Sequence, residues 1–344
     1  MGLRDEIYQQ PDVLEHLFAT QMDAAHQVAS RVRSAGIQYV FIAARGTSDH
    51  AALYAKYLWG IHNSLVVAEA APSLFSLYGQ PPRLNGALVV GISQSGQSPD
   101  IVGVLEEAAR QGAQTVAITN NPDSPLGRTA HNLINICAGV EEAVAATKTY
   151  SAELGAIAML SAALGEDERR LAELDAVPDK LREALKADSQ IERLSEPYRY
   201  AEHCVVLGRG YNYATAFEWA LKLKELAYIA AQPYSSADFR HGPIAVVERG
   251  MPVLAAAPQD AVFPDMLDLL QTLVRQRADL VVLSDVDEAL ALARAPLRIP
   301  AGIPDWLTPL VAIGPAQLFC YHLTRTRGFD TEKPRGLKKV TRTT

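Results

Sequence analysis

One pattern constrains this chain more than any other: it repeats itself at strand-to-helix turns. Phe41-Ile42-Ala43-Ala44-Arg45-Gly46 lines up with Val205-Val206-Leu207-Gly208-Arg209-Gly210. Further on, the apolar run Ala87–Ile92 lines up with Pro252–Ala257. Each run is short, continuously apolar and bounded by turn residues, the pattern of a strand buried on both faces. A helical pattern follows each one. Strands that alternate with helices in this way predict a parallel, doubly wound α/β sheet, and the restart predicts two of them in tandem.

The remaining elements follow from periodicity. Residues from Glu6 to Arg33 read as one or two helices, with Pro11 near a boundary. Strands are predicted at Gln38–Ala43, Ser64–Ala68, Ala87–Ile92, Gln114–Ile118 and Leu133–Cys137. The helices between them are Ser48–Leu58, a short one after Pro72, Asp100–Arg110, and then Thr147–Leu164. Glu166–Leu194 is charged and carries no strand signal, so it reads as a helical connection. In the second half, strands are predicted at His203–Leu207, Pro252–Ala256, Leu280–Leu283 and Leu297–Ile299. Helices there are Tyr213–Ala231, Phe263–Gln276 and Trp306–Thr326. The resulting division is an N-terminal helical segment over 1–34, a domain over 35–165, a connection over 166–194, a second domain over 195–328 and a tail over 329–344.

Composition excludes several function classes. The chain has 344 residues, 49% of them apolar and 21% charged, with a net charge of −7, which argues against a dedicated nucleic-acid binder. It has no apolar run long enough for a transmembrane helix and no apolar signal core at the N-terminus, so a cytoplasmic protein is expected. Gly2 invites myristoylation, but the hydroxyl residue that motif wants is Glu6 here. Cys137, Cys204 and Cys320 form no C-x-x-C pair and read as reduced structural thiols. The eight histidines make no ligand cluster, so neither a metal site nor a cofactor is expected.

Chemistry concentrates at a few turns. Ser93-Gln94-Ser95-Gly96-Gln97-Ser98 lies between an apolar strand and a helix. Free N–H groups at a helix start attract anions, and hydroxyls and a Gln amide donate to phosphate oxygens. Thr47-Ser48 occupies the same kind of turn after the first strand. Helix capping accounts for one such turn alone. Two in one half, with hydroxyls absent from the second copy, point to a phosphate cradle in the first half. There, Gly46 is followed by Thr47-Ser48, whereas Gly210 is followed by Tyr211-Asn212; and where the first half has Ser-Gln-Ser-Gly the second has Pro258-Gln259-Asp260. Glu218, Lys222 and Glu225 fall on one face of a helix near the predicted site end of the second sheet. They read either as a solvated ladder or as a general base with its partners. His241, in a polar loop ending His-Gly-Pro, can reach the same cleft from its own chain or from a symmetry mate. The basic tail Asp330–Thr341 reads as disordered or as a flap carrying a reactive lysine.

Taken together these motifs resemble the sugar isomerase (SIS) domain family, and within it the isomerase half of the glutamine–fructose-6-phosphate aminotransferases. The likeness runs in order from Glu6-Ile7-Tyr8-Gln9-Gln10-Pro11 through Arg45–Ser48, Ile92–Gly96, Ala146-Thr147-Lys148, Leu207–Gly210, Ala220–Glu225 and His241-Gly242-Pro243 to Pro334-Arg335-Gly336-Leu337. It implies two SIS domains, each a five-stranded parallel sheet flanked by helices, in a homodimer. It implies that Thr47, Ser48, Ser93, Gln94, Ser95 and Ser98 bind the sugar phosphate. It makes Glu225 the base for C1–C2 proton transfer, supported by Glu218 and Lys222. It makes His241 a ring-opening residue from the neighbouring subunit and Lys339 the imine-forming lysine of a tail that closes the active site. Three departures stand out. Residue 2 is glycine where the aminotransferases carry a glutaminase cysteine, Ala146 replaces a substrate-binding serine, and Lys338 stands where a small residue is usual, leaving either tail lysine as the nucleophile.

The expected activity is therefore isomerisation of a 6-phosphorylated keto or amino sugar, with deamination of glucosamine 6-phosphate to fructose 6-phosphate as its natural direction without a glutaminase. The alternatives are synthesis of the amino sugar from free ammonia or a partner glutaminase, and a non-catalytic phosphosugar sensor.

Overall fold

A computed structural model describes residues 2–339. Ten strands form two sheets of five. β1 (Tyr39–Ala43), β2 (Val66–Glu69), β3 (Ala87–Ile92), β4 (Gln114–Thr119) and β5 (Asn132–Asn135) lie in the order β2-β1-β3-β4-β5. β6 (His203–Gly208), β7 (Ala230–Ser235), β8 (Pro252–Ala256), β9 (Asp279–Ser284) and β10 (Ala295–Arg298) lie in the order β10-β9-β8-β6-β7. Read from β7, the second order is the first one repeated. All pairings are parallel. The expected pair of doubly wound parallel sheets is thus present, and the two share one strand order.

The chain groups into two compact units. One gathers Asp12–Glu141, Lys148–Asp175 and the tail lysines; the other gathers the stretch up to Pro11, Glu142–Thr147 and Ala176–Leu337. In the first unit, every residue of β3 and all but the first of β4 are buried. Their apolar side chains pack against Ile101, Val104 and Leu105 of helix Pro99–Arg110. After β5 comes helix Lys148–Leu164, buried on all sides up to Ala163. It runs against helix Thr47–Asn63 and is tied to it by hydrogen bonds along its length, Ser161 Oγ to Asn63 Oδ1 (2.8 Å) among them. Ser48 Oγ donates to Glu153 (2.8 Å), Trp59 Nε1 to the Ile157 carbonyl (3.3 Å), and Asn63 Nδ2 to the Ser161 carbonyl (2.9 Å). The second unit repeats the plan. Helix Thr308–Thr326 follows β10 and is buried nearly throughout, and a Cβ on Gly314 would lie 2.7 Å from Leu181 Cδ1. A helix apolar on every side has to be enclosed, and both of these are.

The structure corrects three sequence expectations. First, the segment Tyr213–Ala231 is not one helix: helix Tyr213–Lys222 passes into a π-helical turn, Leu223–Ala227, and Ala230–Ser235 is strand β7. Pro233 hid this strand, because proline cannot donate to a ladder. β7 lies at the sheet edge, where that loss is tolerated. Second, the presumed loop Ser235–Pro243 contains helix Ser236–Arg240. Third, Pro11 marks no boundary, since a single helix spans Leu3–Ser34. Pro11 deprives the Ile7 carbonyl of its usual donor. Gln10 Nε2 supplies a substitute at 2.9 Å and also donates to Gln317 Oε1 at 2.8 Å. The charged stretch after Glu166 is helical, as Glu168–Leu174, Val177–Leu185 and Asp188–Ser195. No helix among the described residues is long and apolar enough to cross a membrane.

The Gln10 repair gives a stability prediction. Both amides are buried, so Gln10→Met leaves the Ile7 carbonyl and Gln317 Oε1 without that donor. The expected loss is about 1–3 kcal/mol in urea unfolding, and Gln10→Met with Gln317→Met recovers part of it.

Candidate active site

In a sheet of this order, the connections leaving the first and third strands diverge, and a crevice opens outside their carboxyl ends. β1 and β3 are such neighbours. The turn after β1 is made by Gly46, at φ 56° and ψ −128°, and puts Thr47 and Ser48 in the first turn of helix Thr47–Asn63. The turn after β3 is Ser93–Ser98. Two of its hydroxyls shape the loop itself: Ser93 Oγ accepts from the Gly96 N–H (3.2 Å), and Ser95 Oγ accepts from the Gln97 N–H (3.3 Å). The Gln94 carbonyl accepts from the Asn120 N–H (3.1 Å) and from Thr119 Oγ1 (3.3 Å), which fastens the loop to the end of β4. Gly96 has φ +62°, and a Cβ there would lie 2.0 Å from Ser124 Oγ, so only glycine fits. Ser98 is the N-cap of helix Pro99–Arg110, yet its side chain makes no capping hydrogen bond. Simple capping therefore does not account for this serine.

Beside the loop lies a cleft of about 570 Å³ lined by Gln94, Ser95, Asn120, Cys137, Glu141 and Lys339, among others. Lys339 Nζ sits 2.7 Å from Glu141 Oε2, and the Glu141 side chain is wholly buried. Glu141 is itself held by Thr149, whose N–H donates to Oε1 (3.1 Å) and whose Oγ1 donates to Oε2 (2.8 Å). Lys338 is exposed, so of the two tail lysines Lys339 is the one turned to the cleft. Sequence reasoning missed Glu141 and Glu153. Glu153 had a visible signal, as a carboxylate inside an otherwise apolar helix; Glu141, next to Glu142 in a loop, had none.

The other unit holds the charged cluster. Lys222 Nζ lies 3.2 Å from Glu218 Oε1 and 2.5 Å from Glu225 Oε2. Lys222 and Glu218 are 1% and 0% exposed, while Glu225 keeps 22%. This is not a solvated ladder. Burial pushes the Lys222 ammonium down, but the two carboxylates outweigh burial, and the net shift is upward. Glu225 lies in the π-helical turn, a distortion frequent at functional sites. Tyr228, at φ 54°, ends that turn; its Oη accepts the Arg335 N–H (2.8 Å), and the Arg335 guanidinium stacks 3.8 Å from its ring centroid. His241 caps helix Ser236–Arg240 and is exposed. Among the described residues no group of three or more His, Cys, Asp or Glu is placed to hold a metal ion. Cys204 and Cys320 are buried free thiols, and burial pushes Cys204 up to about 12.

The SIS domain model matches residues 37–163 and 198–327, one stretch for each sheet. The chain belongs to the SIS domain family. It is 34% identical over 351 residues to the glutamine–fructose-6-phosphate aminotransferase of Bradyrhizobium diazoefficiens, covering 97% of this chain and 57% of that protein. The chain thus spans just over half the length of the curated relatives it matches. The solved C-terminal domain of the Francisella tularensis glucosamine-fructose-6-phosphate aminotransferase is 30% identical, with a TM-score of 0.88 over 96% of this chain and 98% of that one. A Silicibacter pomeroyi protein provisionally described as a phosphosugar isomerase is 34% identical, with a TM-score of 0.87 over 96% and 100%.

The second SIS domain keeps the crevice geometry with different chemistry. Gly210 (φ +59°) takes the place of Gly46 after β6. The loop after β8 carries Asp260, whose Oδ1 accepts the Val262 N–H at 2.9 Å. Burial pushes the Asp260 carboxyl up to about 6, with Asp305 and Asp285 adding to the shift and hydrogen bonds from Val262 and Phe263 opposing it. Such a group favours the folded state while protonated, below its unfolded pKa, and that contribution fades as pH rises through about 6. Asp260→Asn keeps the turn acceptor without the charge. It should stabilise the fold at pH 8 by on the order of 1 kcal/mol after discounting for solvent, read as a higher melting temperature, and show no gain at pH 4. Thermal unfolding at the two pH values checks this.

Proposed function

We propose that this SIS protein is an enzyme that interconverts a 6-phosphorylated ketose and aldose or amino sugar by moving a proton between C1 and C2. The observation that carries the reading is the Glu218–Lys222–Glu225 cluster. Burying three charges contributes little net stability, so a pure binding module gains nothing by keeping them. One member, Glu225, stays partly open to solvent beside a locked lysine. In this reading the first SIS domain anchors the phosphate through Ser93, Gln94, Ser95 and Ser98, with Thr47 and Ser48 on the sugar hydroxyls. Binding energy spent on the non-reacting phosphate orients the reacting carbons. Glu225 is the base. His241 opens the sugar ring from the neighbouring subunit of a homodimer, and its exposure in this chain leaves it available for that. The tail from 329 onward closes the site and brings Lys339 to the ketose carbonyl as an imine.

The natural direction in this reading is deamination of glucosamine 6-phosphate to fructose 6-phosphate and ammonium. The 34% identity to an aminotransferase over 97% of this chain favours a second reading with the same residues, synthesis of the amino sugar using ammonia. One experiment addresses both. Purified protein is incubated with glucosamine 6-phosphate, and separately with fructose 6-phosphate plus ammonium, and each product is followed. Turnover in either mixture is expected, and Glu225→Gln should lower kcat by about 10²–10⁴-fold with KM nearly unchanged. Tight binding of both sugars without turnover sinks the enzyme reading. A fully active Glu225→Gln variant removes Glu225 as the base.

A further inference from the structure

Glu141 has no place in the chemistry described so far, yet it is the most firmly held acid in the cleft. Its side chain is fully buried at the end of the loop that follows β5. Two donors of Thr149, the backbone N–H and Oγ1, fix both of its oxygens. The carboxylate so fixed presents Oε2 to Lys339 Nζ at 2.7 Å. Gln94 and Ser95 of the hydroxyl loop line the same cleft. A buried carboxylate that served only to hold down a tail would be an expensive anchor, since desolvating it costs several kcal/mol.

We infer that Glu141 is the proton carrier for imine formation at Lys339. This rests on the proposed imine and adds the group that makes it chemically feasible. A lysine at neutral pH is an ammonium and cannot attack a carbonyl. Glu141 accepts one proton from Nζ. The freed amine attacks the ketose carbonyl carbon: the N–C bond forms, and the C=O π pair moves to oxygen. A second proton passes from nitrogen to that oxygen, giving the carbinolamine. Glu141 then returns its proton to the hydroxyl, which leaves as water as the C=N bond forms. One ammonium and one ketone have become one iminium and one water, and Glu141 is again a carboxylate. No outside acid, base or oxidant is needed. Two other titratable groups line the cleft, His16 and Cys137. Burial pushes the Cys137 thiol up, which makes it a poor acceptor near neutrality, and Glu141 Oε2 is the carboxylate oxygen within hydrogen-bond distance of Lys339 Nζ.

The test separates proton transfer from tail anchoring. The protein is mixed with fructose 6-phosphate and borohydride, and the reduced adduct on Lys339 is quantified by peptide mass. In parallel, affinity is measured for a hexitol 6-phosphate, which has no carbonyl and cannot form an imine. Glu141→Gln should slow adduct formation by about 10²-fold, with hexitol phosphate affinity within about twofold of wild type. Glu141→Asp, which keeps a carboxylate, should recover part of the rate. If Glu141→Gln does not fold, Thr149→Val takes its place and should slow the adduct several-fold, at about the same scale of affinity, by releasing the carboxylate. An adduct rate in the variants equal to wild type overturns the role of Glu141. A rate that falls only in step with hexitol phosphate affinity overturns it too, and makes Glu141 an anchor. If the wild-type protein itself forms no adduct on Lys339, the imine reading fails and this inference with it.

Discussion

Parallel pairing of the first strand with the third, in each half, is the constraint from which the rest follows. Parallel neighbours cannot be joined by a hairpin, so every connection crosses a face of the sheet and covers it with helix. That buries both sides of β3, β4, β8 and β9 and requires apolar residues at nearly every position. It also gathers all carboxyl ends at one edge. Polar side chains excluded from the strands are concentrated in the loops at that edge. The serines of Ser93–Ser98, Thr47 and Ser48 occupy such places, as do Asp260 and Asp285 in the second half. One topology thus serves both halves, and the loop residues at that edge make them chemically different.

The buried charges show what those loops are held against. Glu153 faces Ser48, Glu141 faces Lys339, and Lys222 stands between two carboxylates. None is a good device for stability: a buried carboxylate is costly to desolvate, and in the two ion-pair clusters the attraction is largely offset by taking the charges out of water. What each does provide is a fixed orientation. Ser48 Oγ donates to a carboxylate that cannot turn away, which leaves the hydroxyl oxygen free to accept. The π-helical turn does the same for Glu225. Glu225, in that turn, reaches Lys222 at 2.5 Å, closer than the contact Glu218 makes at i, i+4 spacing.

How much was legible in the sequence depended on whether local pattern and tertiary role agreed. The central strands and the two late helices were plain, because burial on every side leaves one residue class to choose from. β7 was not. Its Pro233 is a strand breaker by rule and harmless at an edge by position, and the edge is a property of the sheet, not of the segment. Pro11 misled for a similar reason: the repair comes from Gln10, a side chain whose conformation no periodicity encodes. At the site, the hydroxyl turns and the Glu218–Lys222–Glu225 spacing stood out because residue type and position coincided. Glu141 was invisible because it draws its meaning from Thr149 and from a lysine nearly two hundred residues away in the chain.

The two halves repeat their topology without repeating the chemistry of their loops. Asp260 occupies the loop that answers to Ser93–Ser98, and its carboxyl is already pushed up to about 6 by burial with Asp305 and Asp285 close by. An arriving phosphate would meet that acidity and push the carboxyl further toward its protonated form. Phosphate would therefore bind there only by taking up a proton, a cost that Ser93–Ser98 does not impose. The first loop contains no ionisable group, so an anion there meets only N–H and O–H dipoles, whose orientation is set by the fold and not by pH. The second SIS domain places its buried charge elsewhere. It lies at Glu218 and Lys222 on helix Tyr213–Lys222 and at Glu225 in the π-helical turn that leads into β7.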